Sequence, residues 1–144
     1  MRSRRILAVT TIAIVAFMFT AGAASAQEID SGAEGRQSSL VNNHRASVGS
    51  PQLSVHGGLL DIARRHSARM AADGTIYHNG NLQREVAAAV PNWRAIGENV
   101  GTGTSADHVH ELFLRSPKHR ENVENREWNI MAIGAVRSAD GMYY

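Results

Sequence analysis

The sequence predicts an α+β domain, because helical periodicity fills its earlier part and strand-like alternation fills its last part. Apolar residues recur every three or four positions in three segments between 38 and 115, and apolar side chains then alternate across 129–136. Helices followed by strands within one short chain favour an α+β sandwich.

The first 26 residues have the pattern of an export signal. Three arginines precede an apolar run from Ile6 to about Ala23, and small residues at 24–26 are typical of a cleavage site. We therefore expect the mature chain to begin near Gln27 and to be secreted to the extracellular space or the cell envelope. No later segment is apolar enough to cross a bilayer, so no stable membrane span is expected after processing.

Composition excludes two classes of function. Once the three signal arginines are removed from the 15 basic residues, 12 basic residues face 13 acidic ones, and this balance gives no support for nucleic-acid binding. The chain has no cysteine, which excludes disulfides and thiol redox chemistry. Residues 38–144 are long enough for one hydrophobic core, and we expect a monomer.

The predicted elements begin after a segment without periodicity. Residues 27–37 mix glycine, serine and charge, and they are interpreted as a flexible leader. A first helix is predicted from Ser38 or Ser39 to about Val48, and residues 49–53 form a turn. A second helix follows from Leu59 and ends at Gly74.

The second half is predicted to hold a long connection, two helical elements and a hairpin. Residues 74–104 read as an irregular connection with a short helical turn at 82–90. A helix begins at about Ser105, and Pro117 begins a new helical turn that carries His119, with Ser116 before it as the cap. A strand over 129–136 and a turn at 138–141 complete the domain.

Seven histidines suggest a metal site, but their local spacing does not define one. No His-Glu-x-x-His pattern is present, and His66 on the apolar face of the second helix fits a core histidine better than a ligand. A nucleophile elbow is also absent. A pair of catalytic carboxylates such as Glu98 and Glu111 would need a separation that the sequence does not reveal.

Three polar stretches, taken in order, carry a family resemblance. They are IYHNG (76–80), IGENVGTG (96–103) and SPKHREN (116–122), and they follow LVNNHRASVGSPQL and LLDIARRHSARMAADG. In this order the sequence resembles the bacterial branch of the cysteine-rich secretory, antigen-five and pathogenesis-related superfamily, also called the SCP domain. The resemblance covers residues 40–144.

The resemblance implies a three-layer α-β-α sandwich in which His78, Glu98 and His119 line one open polar cavity. It also implies that His78 and His119 can hold a divalent metal such as zinc or magnesium. Four further residues are expected to brace the surrounding loops: Asn99, Ser116, Arg120 and Asn122.

Two departures from the family pattern limit these expectations. Animal and plant relatives carry a tryptophan and, after it, a second glutamate on the third helix, at positions that correspond here to Phe113 and Ser116, which weakens any two-carboxylate mechanism. The family normally extends the last strand further, so a shortened C-terminal strand is expected here.

Three functions remain open at the level of sequence. The leading hypothesis is a secreted, non-enzymatic binding module that engages a lipid, a glycan or a protein of the envelope or a host. The alternative is a metal-dependent hydrolase in which His78 and His119 hold the ion and Glu98 activates water. A third reading is a structural envelope protein without a small ligand.

Overall fold

The structure is a computed structural model that describes residues 27–144, so the predicted export signal lies outside the described residues. Five helices and four very short strands are present in this range. In chain order the elements are β1 (Glu28–Ile29), α1 (Ser31–Ser47), β2 (Ser54–Val55), α2 (Gly57–Asp73), α3 (Leu82–Ala89), α4 (Ala106–Arg115), α5 (Pro117–Glu124), β3 (Ile130–Met131) and β4 (Val136–Arg137).

The predicted α+β class and its three-layer arrangement are confirmed. Helices α1, α4 and α5 pack on one another, while α2 packs on α3 and on β4. The strands form two small sheets: β1 pairs antiparallel with β4, and β2 pairs parallel with β3. Packing between helices therefore accounts for most of the α-β-α architecture, and the middle layer consists of two small two-stranded sheets.

The flexible leader predicted over 27–37 is wrong. Strand β1 and the first two turns of α1 occupy this segment, and the Asp30 carboxylate caps the helix by accepting a hydrogen bond from Ala33 N at 2.9 Å. The Glu34 carboxylate is buried and accepts two hydrogen bonds from Arg64 of α2, at 2.8 and 2.6 Å. A long-range ion pair therefore orders a stretch whose composition is poor in helix formers.

The later helices begin and end close to where the sequence predicts. Gly74 ends α2 in the left-handed conformation, with φ of 63°, and α3 covers most of the predicted turn at 82–90. The Ser105 hydroxyl caps α4 by accepting from His108 N at 3.1 Å. Pro117 occupies the first turn of α5, as its missing N–H and fixed φ favour.

The predicted continuous strand at 129–136 is wrong, because the chain leaves strand geometry between β3 and β4. Gly134 lies in this interruption and passes so close to the backbone of Ala63 in α2 that a Cβ would overlap it. The predicted hairpin is present: Ser138 N donates to Met142 O at 2.9 Å, and Gly141 has a φ of 85°. Strand β4 itself is two residues long, in agreement with a shortened C-terminal strand.

A buried hydrophobic cluster lies where α1 meets α5. Val41, Leu53 and Val123 form a buried cluster with Trp128 and Met131 packed against it. Asn42 of α1 ties the chain after the helix to this cluster, since its side chain both donates to Leu53 O and accepts from Leu53 N, at 3.0 and 2.8 Å. No helix within 27–144 is both long and apolar enough to span a membrane.

Candidate functional site

Glu98 joins two of the three predicted loops. Its Oε2 accepts hydrogen bonds from His78 Nδ1 at 2.7 Å and from Asn79 N at 3.0 Å. The Asn79 side chain fixes the approaching loop, because it accepts from Asn81 N at 3.0 Å and donates to Glu85 at 2.9 Å. The Glu98 carboxylate is therefore held in a defined orientation, with its side chain 17% exposed.

His66 is the second histidine beside Glu98. It is 4% exposed, its Nε2 donates to Tyr77 O at 2.7 Å, and the same nitrogen lies 4.0 Å from Glu98 Oε1. Because that proton already goes to a carbonyl, His66 does not donate to Glu98. This geometry matches the predicted core histidine, and it places the ring next to the carboxylate.

His119 lies apart from this pair. Its ring meets Phe113 edge-on, with ring centroids 5.2 Å apart, and its carbonyl accepts from Asn99 Nδ2 at 3.0 Å. Within residues 27–144, no hydrogen bond joins the His119 ring to His78 or Glu98. The structure thus brings together two members of the predicted trio and leaves the third against α4.

Two of the four predicted bracing residues form a connected chain of hydrogen bonds. Asn122 Nδ2 donates to Asn99 Oδ1 at 2.9 Å, and Trp128 Nε1 donates to Asn122 O at 2.9 Å. A Cβ at Gly97 would collide with the Asn122 amide, so the loop runs directly against this chain. Asn99 and Asn122 therefore join the 97–99 loop to α5.

Ser116 and Arg120 contribute less than the sequence suggests. Ser116 is the residue before α5, but its hydroxyl caps no N–H of that helix; its carbonyl accepts from Arg120 N at 2.9 Å. The Arg120 side chain is exposed and makes no hydrogen bond within the described part of the chain.

The predicted metal site has no preassembled set of ligands. Among residues 27–144 there is no group of three or more His, Cys, Asp or Glu side chains placed to share an ion. His78 Nδ1 donates to Glu98 and leaves Nε2 open, while the His119 ring packs on Phe113. The metal site therefore stays a prediction, and no reaction step is derived through a metal.

A hollow of about 330 Å³ lies between the two helix groups, and Glu98 stands in its wall. Side chains of α1, α2, α3 and α4 and of residues 128–135 surround it, and most of them are apolar. His78 and His119 are not among the lining residues, whereas His66 and Asn79 are. The hollow is mainly apolar and lacks two of the three residues for which the resemblance implies an open polar cavity, so that cavity stays a prediction.

Several apolar side chains in the wall of the hollow remain partly exposed to solvent. Phe113, Trp128 and Ile133 line the hollow and are each only half-buried. Gln37 of α1 also lines it, is 6% exposed, and has no hydrogen-bond partner for either amide atom within the described residues. Well-packed protein interiors contain few voids beside apolar side chains, and they contain few buried polar atoms without a hydrogen-bond partner.

Comparison with known proteins identifies the family. The family model of cysteine-rich secretory proteins, CAP, matches residues 39–144. The chain belongs to the CAP family. The 27–38 segment, which includes β1 and the start of α1, precedes the matched residues. No curated protein matches the chain.

A solved structure agrees with the CAP fold. An outer surface protein of Borrelia burgdorferi superposes with a TM-score of 0.72 at 15% identity, over 81% of this chain and 92% of that one. At this identity the likeness establishes the fold. The protein is thus a CAP-domain chain similar in fold to a bacterial outer surface protein.

Sequence reasoning missed several residues of the hollow in this CAP domain. The sequence places Gln37 in the predicted leader. In the stretch IYHNG it assigns a role to His78 and none to Asn79. Trp128 carried a detectable signal, since a lone tryptophan after a helix needs a partner for its N–H when buried. The lining residues come from several segments spread over positions 33–144, so local patterns do not reveal their convergence.

Proposed function

We propose that this CAP-domain protein is an exported binding module that holds an apolar ligand in the hollow between its two helix groups. The observation that carries the proposal is the hollow itself, about 330 Å³ in volume and walled mainly by apolar side chains. Pockets for small molecules begin at about 300 Å³ and are walled in this way. Among lipid, glycan and protein partners, a lipid-like molecule fits this wall best.

Energetics also favour an occupant. Protein interiors normally leave few voids larger than a water molecule, and burial of apolar surface contributes roughly 25 cal/mol per Å². Half-buried side chains such as Phe113 and Ile133 would lose their remaining contact with water when an apolar molecule enters. Binding would therefore stabilise the folded chain in proportion to ligand concentration.

Export is the second part of the proposal. The basic and apolar start of the chain has the pattern of a secretory signal, and the structural relative is an outer surface protein. We therefore place the binding module in the cell envelope or the extracellular space. The alternative hydrolase has no observation in its favour here, because Glu98 shares no ion-binding set with both predicted histidines.

A neutral dye tests the binding module directly. Nile red fluorescence should rise on addition of the purified protein, and Ala132→Phe should remove most of that rise, because Ala132 lines the hollow and a ring there would fill it. The matched control is Ala46→Phe, which adds the same ring at an exposed position of α1 outside the hollow. Equal dye binding by the wild-type protein and a folded Ala132→Phe variant would reject the proposal.

A further inference from the structure

We propose that the hollow selects ligands whose polar end donates a hydrogen bond and carries no negative charge, and that Glu98 makes this selection. The inference rests on the proposed function, because it concerns the same hollow. It predicts that a long-chain alcohol binds and that the fatty acid of equal length is rejected. The ligand class follows from the charges and the open hydrogen-bonding positions of the wall.

The first step is the charge of the wall. Among residues 27–144, no lysine, arginine or aspartate lines the hollow, and Glu98 is the single carboxylate side chain in its wall. An anionic ligand entering it would leave water without gaining a cationic partner. Burying an unpaired charge is strongly unfavourable, and the nearby carboxylate adds repulsion between like charges.

The second step is the free position on Glu98. Its Oε2 accepts from His78 and Asn79, while its Oε1 has no hydrogen-bond partner within 27–144. A carboxylate only accepts hydrogen bonds. The group that completes it must therefore be a donor, such as a hydroxyl.

The third step is that nearby protein groups do not fill this position. His66 Nε2, at 4.0 Å from Oε1, already donates its proton to Tyr77 O at 2.7 Å. The hydrogen bonds from His78 Nδ1 and Asn79 N fix Glu98 Oε2 in place. The carboxylate therefore cannot rotate to exchange its two oxygens, and Oε1 remains the open one. Both Glu98 and His66 line the hollow, so the open acceptor lies at the polar edge of an apolar wall.

Displacement of bound Nile red by three probes tests the selection in the wild-type protein at about pH 8. Dodecan-1-ol has a donor and no charge, methyl dodecanoate has neither, and dodecanoate is an anion. We expect affinity to fall in that order, with the alcohol at least about tenfold tighter than the anion. Equal affinity of alcohol and anion, or a tighter anion, would overturn the inference.

The variant Glu98→Gln removes the charge, and because His78 and Asn79 keep the amide oxygen, its NH2 group takes the open position and presents a donor there. It should bind dodecanoate about tenfold more tightly than the wild-type protein does and should bind the alcohol no more tightly, since the hydroxyl loses the oxygen to which it donates. Glu85→Gln is the matched control, since Glu85 also bonds to Asn79 but does not line the hollow.

The outcomes separate the two proposals. An unchanged ratio of alcohol to anion affinity in a Glu98→Gln variant that still binds the dye would show that Glu98 does not select. A wild-type protein that binds neither the dye nor any of the three probes would instead overturn the proposed function, and this inference with it. If Glu98→Gln fails to fold, the order of the three probes on the wild-type protein still decides the charge selection.

Discussion

Two neighbouring regions of this domain pair their buried polar groups to different extents. At the junction of α1 with α5, the Arg45 side chain is fully buried and donates to Pro51 O, Val123 O and Asn125 O, at 2.7, 2.7 and 2.9 Å. At the hollow, Gln37, two turns earlier on the same helix, is almost as buried and pairs neither of its amide atoms within the described residues.

The difference separates a region built for stability from one that is open to a ligand. At the junction the Arg45 guanidinium donates to three carbonyls that would otherwise need water as a hydrogen-bond partner. These bonds fix the relative positions of the segments that carry the carbonyls. Burial lowers the pKa of Arg45, and nearby Arg126 lowers it further, yet guanidinium stays charged. Pairing is incomplete at the junction too, because Arg45 Nη2 has no partner within the described residues, but at Gln37 neither amide atom is paired, as expected of a surface completed by another molecule.

The largest expected effect comes from breaking the junction. Arg45→Ala should lower the free energy of unfolding by about 3–5 kcal/mol, because it leaves one buried and two part-buried carbonyls unpaired and a cavity behind. Urea denaturation followed by circular dichroism measures this loss. Nile red binding at low temperature, where the variant is still folded, should be little changed if the two regions are independent.

Arg84→Ala is the control for that variant. Arg84 is exposed on α3, and its removal should change the free energy of unfolding by less than about 0.5 kcal/mol. An Arg45→Ala variant as stable as this control would contradict the role assigned to the junction.

The sequence predicted the helices far better than it predicted either region. Periodicity and capping residues placed α2, α4 and α5 within a few residues, since these signals are local. The Arg45 contacts reach 78 and 80 positions along the chain, to Val123 and Asn125, and no local pattern encodes them. The same limit explains the start of α1, which depends on the distant partner of Glu34.

The candidate site was predicted in part for the same reason. Motif resemblance named Glu98 and His78, and the structure joins them at 2.7 Å. It also named His119, whose ring direction depends on the packing of Phe113 in α4. The polar motifs do not predict the apolar character of the hollow, because its walls consist mainly of apolar residues from five helices and the segments between them.

A smaller effect of opposite sign is expected at the hollow. Gln37→Met keeps the length of the side chain and removes two buried, unpaired polar atoms, so it should raise the free energy of unfolding by about 1–2 kcal/mol. Gln83→Met, at an exposed position of α3, should change it by less than about 0.5 kcal/mol. Urea denaturation of both variants provides the comparison, and a destabilised Gln37→Met variant would show that the amide has a partner in solution.

The smallest effect concerns the pH dependence of the junction. His110 of α4 is buried beside His44, with ring centroids 6.1 Å apart, and His44 Nε2 donates to Glu124 of α5 at 2.8 Å. Burial lowers the pKa of His110 below its usual 6.5, and His44 lowers it further, with Arg36 adding to them and Asp107 and Glu111 opposing them. The folded state therefore favours the neutral ring.

Acid should consequently weaken the fold through this residue. Below about pH 6.5 the unfolded chain takes up the His110 proton first, so the free energy of unfolding falls as pH falls, by at most about 1.4 kcal/mol per pH unit, until the folded-state pKa is reached. Urea denaturation between pH 7 and pH 5 should show a shallower slope for His110→Gln than for the wild-type protein. His108→Gln, an exposed neighbour on the same helix, should keep the wild-type slope. A His110→Gln variant with the full wild-type slope would assign the acid sensitivity to groups other than His110.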